Sequence, residues 1–199
     1  MSRILVVGAG GRAGGAAREE AARRGHDVTP VRRAGGGPYV AGDVTDAVRL
    51  AELAEGHDAV IAAVYDGGSD PAVFFPKAAR ALVDGLSTVG VGRLVWVGLA
   101  SILPTADGVL LMDTEGYPNE YRPLYLAHQA ALETFAASGL DWVSVAPAGD
   151  FEHDDPARVG GYRVVPASAS ARISYADLAI ALVDEVERPE HHQVAVGVV

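Results

Sequence analysis

Short, β-branched apolar runs alternate along the chain with longer stretches whose apolar residues recur at helical spacing. That is the pattern of βαβ units building a parallel sheet with helices on both faces. Candidate strands lie at 4–7, 28–32, 39–40, 59–64, 94–98 and 142–146, with a late one at 194–198. Several are unbroken apolar runs, as strands buried on both faces are. Ala13, Ala17 and Ala21 recur every four residues and predict a helix whose small face lies close to the sheet, ended by Gly25. Leu178, Ala179, Leu182, Val183 and Val186 form a second helical stripe; Ser174, with Asp177 three residues on, offers a capping-box-like start, and Pro189 lies past its end. Pro30 fits poorly inside the second strand because it lacks an amide donor, so an irregularity or strand end is expected there.

These elements describe one doubly wound α/β domain over 1–199, a length that suits a single well-buried core. Gly35-Gly36-Gly37-Pro38 reads as a turn between strands. The irregular stretch 148–171 is the longest loop candidate and is expected to cover a substrate.

Composition narrows the function classes. A net charge of -10 disfavours nucleic acid, whose binding needs clustered cations. Lys77 is the only lysine, and cysteine is absent, which removes disulfides, thiolate nucleophiles and cysteine-ligated metals. No apolar run reaches the length of a membrane span and no signal-peptide pattern opens the chain, so a cytoplasmic protein without membrane partners is expected.

Gly8-Ala9-Gly10-Gly11-Arg12-Ala13-Gly14 follows a strand and opens a helix. In that context the early glycines allow a tight turn and close backbone approach to a pyrophosphate, and the last allows close helix packing. The helix N-terminus adds amide donors and a favourable dipole. This is a Rossmann-type dinucleotide site. Where an NAD-preferring site carries an acid after its second strand, the chain has Val31-Arg32-Arg33. Arg32, assisted by Arg33 or Arg12, can pair with a 2'-phosphate, so NADP(H) is expected over NAD(H); the alternative is that these arginines are merely solvated. Asp43 can accept from the adenine amino group while Val44 packs on the ring, or Asp43 can cap the following helix. Ala62, Ala63 and Val64 end the fourth strand with small side chains that let a nucleotide ribose approach.

With these residues in view, the chain resembles the atypical short-chain dehydrogenase/reductase proteins, specifically the NAD(P)H-binding, NmrA-like group labelled NADH-flavin reductases. The likeness rests on the glycine turn, Gly25-His26-Asp27-Val28 leading to Val31-Arg32-Arg33, Gly98-Leu99-Ala100-Ser101, Leu111-Met112-Asp113-Thr114 and Leu140-Asp141-Trp142. It continues through Arg158-Val159-Gly160-Gly161-Tyr162-Arg163 and Arg172-Ile173-Ser174-Tyr175-Ala176-Asp177. Two departures point to a specialised substrate side. Gly98-Leu99-Ala100 stands where relatives read two glycines and an alanine, and Glu152-His153-Asp154-Asp155-Pro156 replaces a proline-glycine-rich loop.

Classical members of the wider superfamily use Tyr-x-x-x-Lys, the lysine lowering the tyrosine pKa for proton transfer to a carbonyl. Here Tyr125 is followed by Gln129, which carries no charge, so ketone reduction by that pair is disfavoured. Hydride transfer to a flavin or quinone escapes the objection, because such acceptors can take a proton from solvent or a weak donor. The resemblance and this argument imply an NADPH-dependent reductase of a flavin, quinone or related small acceptor, with Tyr125 and Ser101 as candidate catalytic residues. His128 is a possible proton donor near neutral pH, although it cannot simply replace Tyr125. Two other readings stay open: a non-catalytic NADP(H)-binding redox sensor, and a specialised biosynthetic reductase, isomerase or dehydratase. A small-molecule acceptor is the expected partner, flavin among them as substrate, with a homodimer the assembly left open. The acidic run Asp150, Glu152, His153, Asp154 and Asp155 lacks metal-ligand spacing and reads as a solvated loop, so no metal is expected. His191-His192 reads as exposed, and Phe74, Phe75 and Phe151 as pocket lining or core.

Overall fold

The first apolar run forms β1 (Arg3–Val7), and the alanine-faced stretch after it forms α1 (Arg12–Arg23), which ends as Gly25 turns into the left-handed region at φ +82°. There follow β2 (Asp27–Arg32), β3 (Val40–Ala41), α2 (Ala47–Ala54), β4 (Ala59–Ala62), α3 (Pro71–Val89), β5 (Arg93–Val97), α4 (Arg122–Ala136) and β6 (Asp141–Pro147). Two short strands, β7 (Asp150–Phe151) and β8 (Arg172–Ile173), precede α5 (Tyr175–Glu187) and β9 (Val194–Val198). The computed structural model describes residues 1–153 and 157–199, so Asp154, Asp155 and Pro156 of the acidic loop lie outside the described residues.

Seven strands pair in parallel in the order β3-β2-β1-β4-β5-β6-β9, while β7 and β8 make a separate parallel pair. The chain reverses direction across the sheet between β1 and β4. A doubly wound sheet binds ligands at that switch point, outside its carboxyl edge. One face is covered by α2, α3 and α4 over a core that includes Leu50, Leu82, Leu86, Trp96 and Phe135. The other is covered by α1 and α5 over Ile4, Val6, Ile61, Val95, Leu178 and Leu182.

β2 runs straight through Pro30, which pairs in register with Val6. The expected irregularity is absent for a geometric reason. The carbonyl of Val31 accepts from Gly8 and Ala9 on the β1 side, so Pro30, one residue earlier, turns its nitrogen to the other side. There β3 reaches only Val31 and Arg32, and no ladder bond is lost. β5 and β6 each start one residue earlier than the apolar pattern predicts. Arg93 is accommodated because its guanidinium meets the Glu185 carboxylate at 2.7 Å and the Glu185 carbonyl at 3.0 Å. His191 joins this cluster, its Nδ1 lying 2.6 Å from Glu185 Oε1. It is therefore part-buried rather than exposed, whereas His192 is exposed and meets Asp141 at 2.7 Å.

α1 and α5 are held together by charge as well as by alanine packing. Glu20, only 6% exposed, accepts from Arg23 (2.7 Å), Arg24 (2.8 Å) and Arg158 (3.1 Å). The Arg23 hydrogen bond leads in holding its carboxyl down to about 2, against burial, with Arg24 assisting. Arg24 reaches on to Asp184 and Glu187, each at 2.6 Å. The Ser174 cap forms as expected, its hydroxyl accepting from the Asp177 amide at 3.0 Å and donating to the Asp177 carboxylate at 2.7 Å. That carboxylate also accepts from the amides of Val159 (2.9 Å) and Gly160 (2.8 Å), which ties this part of the loop to α5.

The helix-to-strand approach at the start of the domain is closer than any side chain permits. A Cβ on Gly14 would lie 2.3 Å from the Gly8 carbonyl oxygen, and one on Gly8, at φ +83°, would lie 2.0 Å from the Ala63 oxygen. Gly15 is different, with its nearest such contact at 3.6 Å. Gly14→Ala is expected to lower stability by roughly 1–3 kcal/mol in urea unfolding, by forcing backbone apart. Gly15→Ala should leave it unchanged or raise it by up to about 1 kcal/mol through helix propensity. Equal effects at the two positions would contradict this packing.

His128 sits in the α4 side of the core, 4.1 Å between ring centroids from Phe75 and 6.0 Å from Trp96. Burial pushes its pKa down to about 4, so it is neutral at pH 7 and walled off from any acceptor, which overturns its role as a proton donor. Phe74 and Phe75 belong to the same core rather than to a pocket. Because the folded pKa lies below the ordinary value of about 6.5, the unfolded chain takes up the proton first as pH falls. Stability is full above about pH 6.5 and declines toward pH 4, by about 3 kcal/mol in all. Comparing denaturant midpoints at pH 7 and pH 4.5, His128→Phe should remove most of this acid sensitivity; an unchanged pH slope would show the histidine to be solvated.

Candidate functional site

The glycine turn occupies the sheet's switch point. Gly8 leaves β1 with its amide on the Val31 carbonyl at 3.0 Å, and Gly11 closes the turn onto the Gly8 carbonyl at 3.0 Å. The four glycines then divide by role. Gly8 and Gly14 are demanded by protein packing, whereas Cβ atoms at Gly10 and Gly11 would meet nothing nearer than 3.5 Å. What Gly10 and Gly11 leave open is the space in front of α1. That helix has Gly11 at its N-cap with no side-chain cap, unlike α2, α3 and α5, which Asp46, Asp70 and Ser174 cap. Bare turn amides beside an uncapped helix start suit a pyrophosphate, so the residues present fit a dinucleotide.

The three arginines of the sequence argument separate in space. The aliphatic stem of Arg32 lies over Gly10, 3.5 Å from where a Cβ would stand. Its guanidinium donates to the carbonyls of Gly35 and Gly36 and sits 4.6 Å above the Tyr39 ring. It thus carries no ion pair to a carboxylate among the described residues, and keeps its charge beside the turn. Arg33 pairs with Asp66 at 2.9 Å. Arg12 points the other way, 5.3 Å from the centroid of Tyr175, which stacks on Phe151 at 3.9 Å, and 3.5 Å from His153 Nδ1. Tyr39 and Asp66 were not legible as site residues, since nothing in their spacing links them to the arginines.

Beyond β3, Asp43 accepts from the Thr45 amide at 2.8 Å and the Thr45 hydroxyl at 2.9 Å, which together with the nearby Arg33 and Lys77 hold its carboxyl below the usual range. It does not cap α2; Asp46 does, accepting from Arg49 at 3.0 Å. Val44 is buried in the core, which leaves little of it for a ring. β4 ends at Ala62, two residues short of the expected Val64, because only Ala63 adds a further bond, to Val7 at 2.9 Å. Ala63 and Val64 then pack against Gly8.

One strand along the same edge, Ser101 lies buried in a 3-10 turn (Ala100–Ile102) after β5. Its Oγ is 3.1 Å from Tyr117 Oη, and the Tyr117 and Tyr125 rings are 5.6 Å apart. Sequence reasoning joined Ser101 and Tyr125 but missed Tyr117, the residue between them, because it lies in a loop with no helical spacing to mark it. Burial raises the pKa of Tyr125, with Tyr117 adding to the rise and the Ser101 hydroxyl opposing it. A cavity of about 300 Å³ opens beside this cluster, lined by Tyr117, Thr114, Gly149, Asp150, Ala169 and Arg172 among others. A larger one, about 470 Å³, lies toward α5 and the 157–163 segment, away from the glycine turn.

No helix among the described residues is long and apolar enough to cross a membrane. The model of an NAD(P)H-binding family matches residues 8–189 of the chain. The uncharacterized protein YwnB of Bacillus subtilis strain 168 is 35% identical over 205 residues, covering 95% of this chain and 94% of that protein. Among solved structures, a Burkholderia pseudomallei protein described provisionally as exported is 33% identical, with a TM-score of 0.85 over 100% of this chain and 99% of that one. A Streptococcus pneumoniae TIGR4 protein described provisionally as an NADH-flavin reductase is 29% identical, with the same TM-score and coverage. The glycine turn at the switch point and these likenesses agree, and the chain belongs to the NAD(P)H-binding family of atypical short-chain dehydrogenase/reductase type.

Proposed function

We propose that this oxidoreductase uses NADPH and passes hydride to a flavin, quinone or related small acceptor. The observation that carries the reading is an open glycine turn and a cavity walled in part by Tyr117 at the carboxyl edge of one sheet, with no lysine beside Tyr125. Lys77 is exposed on α3, and its charge is felt by Asp43 on the adenine side. A tyrosine whose pKa is raised is not an activated base, so chemistry that asks little of proton transfer suits the site best.

The bound nicotinamide would supply the hydride. The chain's own residues do the rest. The amides of Gly10, Arg12 and Ala13 and the α1 dipole hold the pyrophosphate, and Gly8 and Gly14 keep that cradle in place. Arg32 meets the 2'-phosphate from the edge of Tyr39, since the carbonyls of Gly35 and Gly36 occupy only part of its fork. Arg33, drawn to Asp66, and Arg12, drawn to Tyr175, assist by their charge. Gly149, Asp150 and Ala169 of the stretch after β6 wall the acceptor side. A carboxylate at the position of Arg32 would have favoured the free ribose of NAD(H) instead.

Cofactor binding is measured by calorimetry and turnover by loss of the reduced nicotinamide absorbance with flavins, quinones and small carbonyls. Turnover with a flavin or quinone supports the reading; tight NADPH binding with none overturns it in favour of a redox sensor. For cofactor choice, Arg32→Gln is expected to weaken NADPH binding by about 10- to 100-fold, the worth of a charged hydrogen bond to phosphate, with NADH binding nearly unchanged. An equal loss for both cofactors would remove the 2'-phosphate assignment.

A further inference from the structure

The hydroxyl cluster after β5 contains two tyrosines with unlike surroundings. Tyr125 is 6% exposed on α4 and is not among the residues lining the cavity, whereas Tyr117 is half-buried and forms part of the cavity wall. The aim of Tyr117 is set by its backbone. Gly116 takes a left-handed turn at φ +77°, the Tyr117 amide bonds back to Thr114 at 3.3 Å, and Pro118 follows. The ring packs against the small cluster of Ala100, Leu103, Leu111, Ala146 and Ala167, and its hydroxyl meets buried Ser101 at 3.1 Å. A phenol fixed at one end by packing and at its oxygen by a buried hydroxyl has its free edge in the cavity.

Resting on the reductase reading, we infer that Tyr117 is the catalytic proton donor of this site, with Ser101 and Tyr125 acting as positioning residues behind it. For a quinone the step balances as follows. The ring gains a hydride, two electrons and one proton's mass, from the reduced nicotinamide, which leaves oxidised. The phenolic O–H of Tyr117 breaks, its proton forming the new O–H bond at the quinone oxygen. The phenolate regains a proton from water, so the sum is quinone, NADPH and one proton giving hydroquinone and NADP⁺. Tyr117 gives a proton here and does not take one, so the step asks for no base or cation beside it. Tyr125, raised in pKa by burial, serves to keep the pair of rings in place.

The test uses the full chain and 1,4-naphthoquinone-2-sulfonate, with Tyr117→Phe and Tyr125→Phe, each keeping its ring. Two readouts are taken: kcat with its solvent deuterium isotope effect, and calorimetric binding of the quinone to the NADP⁺-loaded protein. Tyr117→Phe is expected to lower kcat by about 100-fold, the lower range for a general acid, to abolish the solvent isotope effect, and to weaken quinone binding by about 3- to 10-fold. Tyr125→Phe, which removes only a hydroxyl behind Tyr117, is expected to lower kcat by a smaller factor, about 3- to 10-fold, and to leave the solvent isotope effect in place. Wild-type kinetics and affinity in Tyr117→Phe overturn the inference and leave the reductase reading intact, as does finding the larger loss in Tyr125→Phe. If the wild type binds the quinone but does not reduce it, the reductase reading falls, and the calorimetric comparison alone decides whether Tyr117 meets the ligand. No quinone binding to the wild type overturns the assignment of the cavity and of Tyr117 with it.

Discussion

The close seating of α1 on the end of β1 is the constraint on which the rest of the molecule depends. At Gly14 a hydrogen stands where any larger atom would strike the Gly8 carbonyl, and Gly8 in turn lies against the backbone of Ala63. Three backbone segments, from β1, α1 and the end of β4, therefore meet without side chains between them. Because interiors are close-packed and transmit displacement, moving α1 outward by the width of a methyl would carry the Gly10–Gly11 amides with it. The open space before the helix exists in its present shape only because the space behind it is full.

That seating is reinforced at the far end of the helix by charge. Glu20 on α1 gathers Arg23, Arg24 and Arg158, and Arg24 continues to α5 through Asp184 and Glu187. A buried carboxylate without partners would be costly, but with several guanidinium donors it locates α1 against α5 in one register. Arg158 joins Glu20 on α1 while the neighbouring amides of Val159 and Gly160 are held by Asp177 on α5, so one segment is fastened to both helices. The glycine turn and the 158–160 segment are thus referenced to one pair of helices.

Much of this was written in the local pattern. The doubly wound class follows from the alternation of strands and helices, and the glycine turn announced its place because its context, strand before and helix after, is itself local. The Ser174–Asp177 cap was legible for the same reason. What escaped were contacts between residues distant in sequence: Glu20 with Arg158, Arg33 with Asp66, Ser101 with Tyr117. Pro30 misled because its effect depends on how far β3 extends, and His128 because a lone histidine carries no sign of whether aromatic rings will enclose it. Asp43 and Asp46 illustrate the limit of motif reading, since both are competent caps and only the backbone path decides that Asp46 takes the role.

The loss of the classical lysine is easier to understand from the geometry than from the sequence. A lysine at position 129 would act on Tyr125, yet Tyr125 is enclosed, and a cation lowering its pKa would favour a phenolate in a place that already resists charge. The wall of the cavity is instead made in part by a loop tyrosine, Tyr117, whose oxygen is tied to Ser101. An acceptor that becomes more basic as it takes up hydride will draw the phenolic proton without a base to prepare it. The demand for an activated tyrosine disappears where the electron pair is accepted by a conjugated ring, which is the chemistry proposed for this site with its hydroxyls and without the lysine.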